Sequence, residues 1–229
     1  MDTIRLVVCI VLSVPAAIVV NATFDRFLTD RPLFQSSVRP RVSHRAVGLL
    51  ILTLALFVGA QQRFVDESWP EMLAYCVLFA VLLLLSVIDL YEFRLPDAIV
   101  VPSIAVAITT IVAVSVVSDT PERIRYALIG GAIAFGVLFI AHLVSPRGMG
   151  FGDVKLAALL GLAVGWQASS ANEALILVLW LLLIGFGVGT VAGLALYVIR
   201  RRNEPFPFGP FLAIGTVATV LLSQVLVAT

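Results

Sequence analysis

The chain has 229 residues, of which 61% are hydrophobic and only 13% charged, whereas soluble domains run at roughly 45–50% apolar and about 25% charged. That composition excludes a single water-soluble globule, which would lack the polar surface to cover itself, and makes the chain an integral membrane protein. Its net charge of +1 says little about partners, and no basic patch with interleaved aromatics points to nucleic acid.

About 17–25 apolar residues span a hydrocarbon core of about 30 Å as a helix, and the chain contains eight candidate runs. The first, Ile4 to Phe24, carries Arg5 after a short polar start and lacks a small-residue cleavage site, which predicts an uncleaved span rather than a signal peptide. A short basic loop, residues 25–45, leads to the second run, Ala46 to Ala60. Then come Met72 to Ile88, Ala98 to Val117, Tyr126 to Val144, Val154 to Trp166, Ala174 to Ile199 and Phe211 to Val227. The second and sixth are short, so they must borrow flanking residues, tilt little or be covered at their ends by neighbours. Cys9 and Cys76 each fall inside an apolar run without CxxC spacing, the setting of small buried hydrophobes rather than of zinc ligands or a disulfide framework. The expected fold is a single all-α, membrane-embedded helical bundle over residues 1–229.

Lysine and arginine collect in cytoplasmic loops. Counting alternate loops, one side holds Arg26, Arg31, Arg39, Arg41, Arg45, Arg94, Arg147, Lys155, Arg200, Arg201 and Arg202, which is eleven of the 15 basic residues. The other side holds Arg5, Arg63, Arg123 and Arg125. This asymmetry supports eight spans and predicts both termini outside.

Most acidic residues fall in loops, where a solvated charge needs no special account: Asp66, Glu67, Glu71, Asp119, Glu122 and Glu173 outside, Asp25, Asp30 and Glu204 inside. Asp89 and Asp153 differ because each abuts an apolar run. Asp89 ends the inward-running third span and Asp153 begins the outward-running sixth, so both reach the cytoplasmic membrane boundary. An acid at a helix N-terminus is favoured by the helix dipole, which suffices as a structural account of Asp153; at a C-terminus it is opposed, and Asp89 needs another reason. Two carboxylates brought together share a proton, one ionised and one neutral. Such a pair can activate water and protonate a departing amine without a metal or a covalent nucleophile.

Gly148, Gly150 and Gly152 precede Asp153 and leave the backbone free for positive φ or for close approach of a neighbour. Gly150-Phe151-Gly152-Asp153 matches the GxGD motif of intramembrane aspartyl proteases, and "MGFGDVKLAALLG" resembles its version in prepilin peptidases, the type IV leader peptidases. "VIDLYEFRLPDAIVVP" resembles the same family's other aspartate segment, and "PFPFGPFLAIG" its closing motif before the last helix. The three occur in family order between Met72 and Thr229. The resemblance implies an aspartic endopeptidase of a bacterial or archaeal cell membrane, without a cofactor. Asp89 and Asp153 would be its catalytic pair, and Gly150, Gly152 and Lys155 would belong to the active-site loop or substrate cleft. Its partner would be a prepilin or pseudopilin of a type IV pilus or type II secretion system, cut on the cytoplasmic face before its hydrophobic helix. Larger family members carry a cytoplasmic domain with paired CxxC motifs between the first two helices, associated with N-methylation. Here residues 25–45 contain no cysteine, which implies a peptidase-only form, and the arginines of this loop suit anionic lipid headgroups.

Lys155 lies two residues past Asp153, at about 100° per residue, and so points largely away from it; a snorkelling anchor is its alternative role. Arg94 and Arg147 read the same way. Pro96, Pro207 and Pro210 punctuate helices, with Gly209 permitting a tight turn. Gly185, Gly189 and Gly193, and likewise Gly161 and Gly165, recur every fourth residue and predict close helix contacts. His44 and His142 have no ligand partner at helical spacing. The competing function is a small ion- or proton-coupled transporter using the same two aspartates, but no inverted repeat and no charge near a helix centre supports it.

Overall fold

The computed structural model describes residues 2–29, 44–65, 68–146, 149–200 and 206–227. Much of the basic loop, residues 30–43, lies outside them, as do Arg147, Gly148 and residues 201–205. The described residues form eight α-helices and no strand: α1 (Asp2–Thr29), α2 (His44–Arg63), α3 (Trp69–Glu92), α4 (Asp97–Val117), α5 (Glu122–Val144), α6 (Phe151–Gly165), α7 (Ala171–Arg200) and α8 (Gly209–Val227). Seven are long and apolar enough to cross a membrane; α6 is the exception.

The helices overrun the apolar runs read from the sequence, because backbone hydrogen bonding does not stop where side chains turn polar. As a result Asp89 lies inside the last turn of α3 and Asp153 inside the first turn of α6, rather than just beyond the helix ends.

The chain divides into two compact units, residues 1–87 and 88–229, with the boundary inside α3. In the first unit α1 packs on α2. Buried Arg5 donates from Nη1 to the carbonyls of Phe64 and Val65, both at 2.7 Å, satisfying acceptors that the end of α2 leaves without helical partners. Phe64 stacks on Tyr75 with ring centroids 4.5 Å apart. Cys9 and Cys76 are buried, and Cys9 Sγ lies 4.0 Å from Met72 Sδ, a sulfur contact inside apolar packing.

The second unit is built around α6, which touches α4, α5, α7 and α8. Fifteen residues give a helix of about 22 Å, short of the hydrocarbon thickness. Burial compensates for the length, since nearly every side chain from Asp153 to Gly165 is enclosed. Glycine makes the enclosure possible. A Cβ on Gly161 would strike the Gly130 carbonyl and stand 2.7 Å from Ala134 Cβ, and one on Gly165 would stand 3.1 Å from Gly130 Cα. The α7–α8 seam is similar: a Cβ on Gly215 would lie 2.9 Å from Gly185 N, and one on Gly189 3.2 Å from the Phe208 ring.

Polar contacts close one end of this unit. Trp166 Nε1 donates to Ser115 Oγ at 3.0 Å, Arg123 Nε to the Trp166 carbonyl at 2.9 Å, and Ser223 Oγ to Gln167 Oε1 at 2.6 Å. The candidate site lies at the other end, where α3 finishes and α4, α6 and α8 begin.

Candidate active site

Asp89 is buried three residues before α3 ends at Glu92, a place where the dipole of its own helix disfavours a carboxylate. Another helix supplies the compensation. The backbone N–H of Gly209, the first residue of α8, donates to Asp89 Oδ2 at 2.9 Å in a buried setting. This donor is among the N–H groups that a helix N-terminus leaves without a helical acceptor, and the positive end of the helix favours the anion. A Cβ at position 209 would stand 2.8 Å from the same oxygen, so the missing side chain is what admits the carboxylate. Aromatic packing holds this turn: Phe206 stacks on Phe211 at 4.9 Å, and Phe208 lies 4.8 Å from Phe186 of α7.

Asp153 is the third residue of α6 and is also buried. The preceding Gly150 is the N-cap residue, extended at φ −68° and ψ 145°. The Asp153 carboxylate folds back onto the Gly150 backbone, as the acid of a capping box does. The two aspartates lie close enough for their carboxylates to interact electrostatically.

Of the two uses expected of these glycines, positive φ and close approach, the described residues show the second. Among the described residues no glycine has positive φ, and Gly150 and Gly152 serve close approach instead. A Cβ on Gly152 would come 3.0 Å from Leu95 Cβ and 3.5 Å from the Leu95 carbonyl, so a side chain here would push the α3–α4 connection off α6. That connection is tightly turned. Phe93 takes φ 52° and donates its N–H to the Asp89 carbonyl at 2.9 Å, a left-handed cap that ends α3. Pro96, at φ −72° and ψ 127°, then sets up the start of α4.

Lys155 has a partner that its spacing from Asp153 does not foretell. Its Nζ donates to both carboxylate oxygens of Asp97, at 2.8 and 2.7 Å, and lies 5.1 Å from the Phe151 ring centre. Asp97 carried no signal beyond being one more acid at a helix start, and its partner is 58 residues away. His142 at the end of α5 donates from Nδ1 to the Met149 carbonyl at 2.8 Å and packs 5.5 Å from Phe151, tethering the segment before α6. Arg94 is exposed and His44 is exposed. Among the described residues no three His, Cys, Asp or Glu side chains converge as a metal site would require.

A family model described as the type IV leader peptidase family matches residues 76–194, a range that includes both aspartates. The chain is 35% identical over 145 residues to a prepilin leader peptidase/N-methyltransferase of Pseudomonas putida, covering 61% of this chain and 46% of that protein. It is 34% identical over 174 residues to the protein of the same name from Aeromonas hydrophila, covering 73% and 55%. With the counterpart from Burkholderia pseudomallei strain K96243 it shares 36% identity over 173 residues, 72% and 51% of the two chains. The chain thus spans about half the length of the curated relatives it matches. No solved structure matches it.

Proposed function

The chain belongs to the type IV leader peptidase family, and from that premise we propose that it is a membrane aspartic endopeptidase that removes the short leader of prepilins or pseudopilins. What supports the proposal most is that two buried carboxylates, Asp89 at the end of α3 and Asp153 at the start of α6, lie close enough to interact electrostatically, one accepting a backbone N–H of α8 and the other folded back on the start of its own helix.

Two carboxylates coupled electrostatically in this way share one proton between them. The ionised member takes a proton from water as the oxygen attacks the scissile carbonyl. The protonated member hydrogen-bonds the carbonyl oxygen and then gives its proton to the departing amine. Charge is conserved across the cycle, and the pair ends with its roles exchanged. A hydrophobic substrate helix leaves the cut site at the membrane surface, which is where α3 ends and α6 begins. The gathering of basic residues on that side supports a cytoplasmic active site, both termini outside and residence in the bacterial inner membrane, in contact with its lipid.

The test is direct. The purified full chain, in detergent or proteoliposomes, is incubated with a synthetic prepilin peptide and the products are weighed by mass spectrometry. One cut between the charged leader and the hydrophobic segment is expected, with a rate unchanged by metal chelators. An intact peptide would count against the peptidase reading, and a chelator-sensitive cut against the aspartic mechanism.

A further inference from the structure

The connection leaving Asp89 and the helix carrying Asp153 touch at two points with no role in the chemistry above. Leu95 lies against Gly152, where even a methyl group would crowd it, and Asp97 receives both of its hydrogen bonds from Lys155. The contacts bracket Asp153 in sequence, one residue before it and two after. On the other segment they fall six and eight residues beyond Asp89. Little slack lies between, because Phe93 closes α3 in a left-handed conformation and Pro96 fixes the entry to α4.

We propose that Asp97 is a positioning residue, which with Lys155 latches the start of α4 to the first turns of α6 and thereby sets the separation of the Asp89 and Asp153 carboxylates. This rests on the peptidase reading. The apolar contact at Gly152 sets how closely the segments approach but not their direction, whereas a cation held by two oxygens fixes both. The Lys155 ammonium is further oriented by the Phe151 face. The pair is partly open, with the Lys155 and Asp97 side chains 26% and 64% exposed. An ion pair in that setting adds little to global stability, so its loss shifts the site without unfolding the chain.

Charge exchange tests the latch. Asp97→Lys, Lys155→Asp and the exchanged double variant are prepared as full chains, and cleavage kinetics are read together with backbone amide exchange at Ile99 and Val100, whose N–H groups donate to the Pro96 carbonyl at 3.0 and 3.1 Å in the first turn of α4. Each single variant should lower kcat about tenfold, between the small effect of an exposed pair and the hundredfold cost of moving a reacting group by an ångström. KM should stay unchanged. The double variant should recover to within about threefold of the parent, since the pairing is re-formed with its ends reversed. Amide exchange at Ile99 and Val100 should quicken in the singles and slow again in the double. A double variant no better than the worse single, or singles with the parent's kcat, would overturn the latch. If the parent does not cut prepilin, the peptidase reading fails and amide exchange alone judges the latch: unchanged exchange in the singles refutes it.

Discussion

Asp89→Asn and Asp153→Asn are each expected to slow leader cleavage by at least about 10³-fold, because either change removes the proton carrier that the other carboxylate needs. The substitution keeps the shape of the side chain and leaves an amide oxygen able to accept a hydrogen bond. At position 89 that oxygen can still receive the Gly209 N–H, so the helix ends should stay in place. The loss should therefore appear in kcat, while KM, helical content and thermal unfolding in the same detergent stay near the parent's. Initial rates with a prepilin peptide decide the matter, and a variant that keeps near-normal kcat would remove its aspartate from the mechanism.

Gly161→Leu should have the largest effect on the fold itself. The α5–α6 seam is backbone against backbone: a Cβ at 161 meets the Gly130 carbonyl and comes 2.7 Å from Ala134 Cβ. Neither neighbour can swing aside as the tip of a flexible side chain could, so α5 must separate from α6. Overpacking of this kind costs about 3 kcal/mol. Activity should fall as well, since α6 carries Asp153. Gly136→Leu is the matched control, because a Cβ at 136 would meet nothing within 4 Å. Thermal unfolding in detergent should show a large drop for Gly161→Leu and a small one for Gly136→Leu; equal drops would mean that the seam is not the tight contact described.

How far the sequence reaches differs between fold and site. The apolar runs locate all eight helices, since membrane burial demands long uninterrupted stretches and leaves little room for other parses. Their ends are less legible: α3 runs on to Glu92 and α6 starts at Phe151, because helical hydrogen bonding continues past the change in polarity. The short sixth run foreshadows the enclosure of α6, but nothing in the sequence marks Gly130 as its partner, nor Gly215 as the partner of Gly185 in the α7–α8 seam, as only packing reveals which helices cross at a glycine. Asp89 and Asp153 stood out because an acid beside an apolar run needs a reason. What lies around them is long-range. The Gly209 N–H that receives Asp89 is a backbone group 120 residues away, invisible to any reading of side chains. The sequence suggests a turn former at Gly209, yet it serves by lacking a side chain where the carboxylate must fit. Asp97 is one more acid at a helix start in the sequence, and only the fold brings Lys155 against it.

The central claim, that Asp89 and Asp153 act as one catalytic unit, is tested most directly by measuring cleavage of a prepilin peptide by Asp89→Asn, Asp153→Asn and the double variant side by side. A single unit predicts that all three share the same residual rate, because removing the second carboxylate costs nothing once the first is gone. Factors that multiply in the double variant would mean that the two aspartates contribute independently, and would contradict the account.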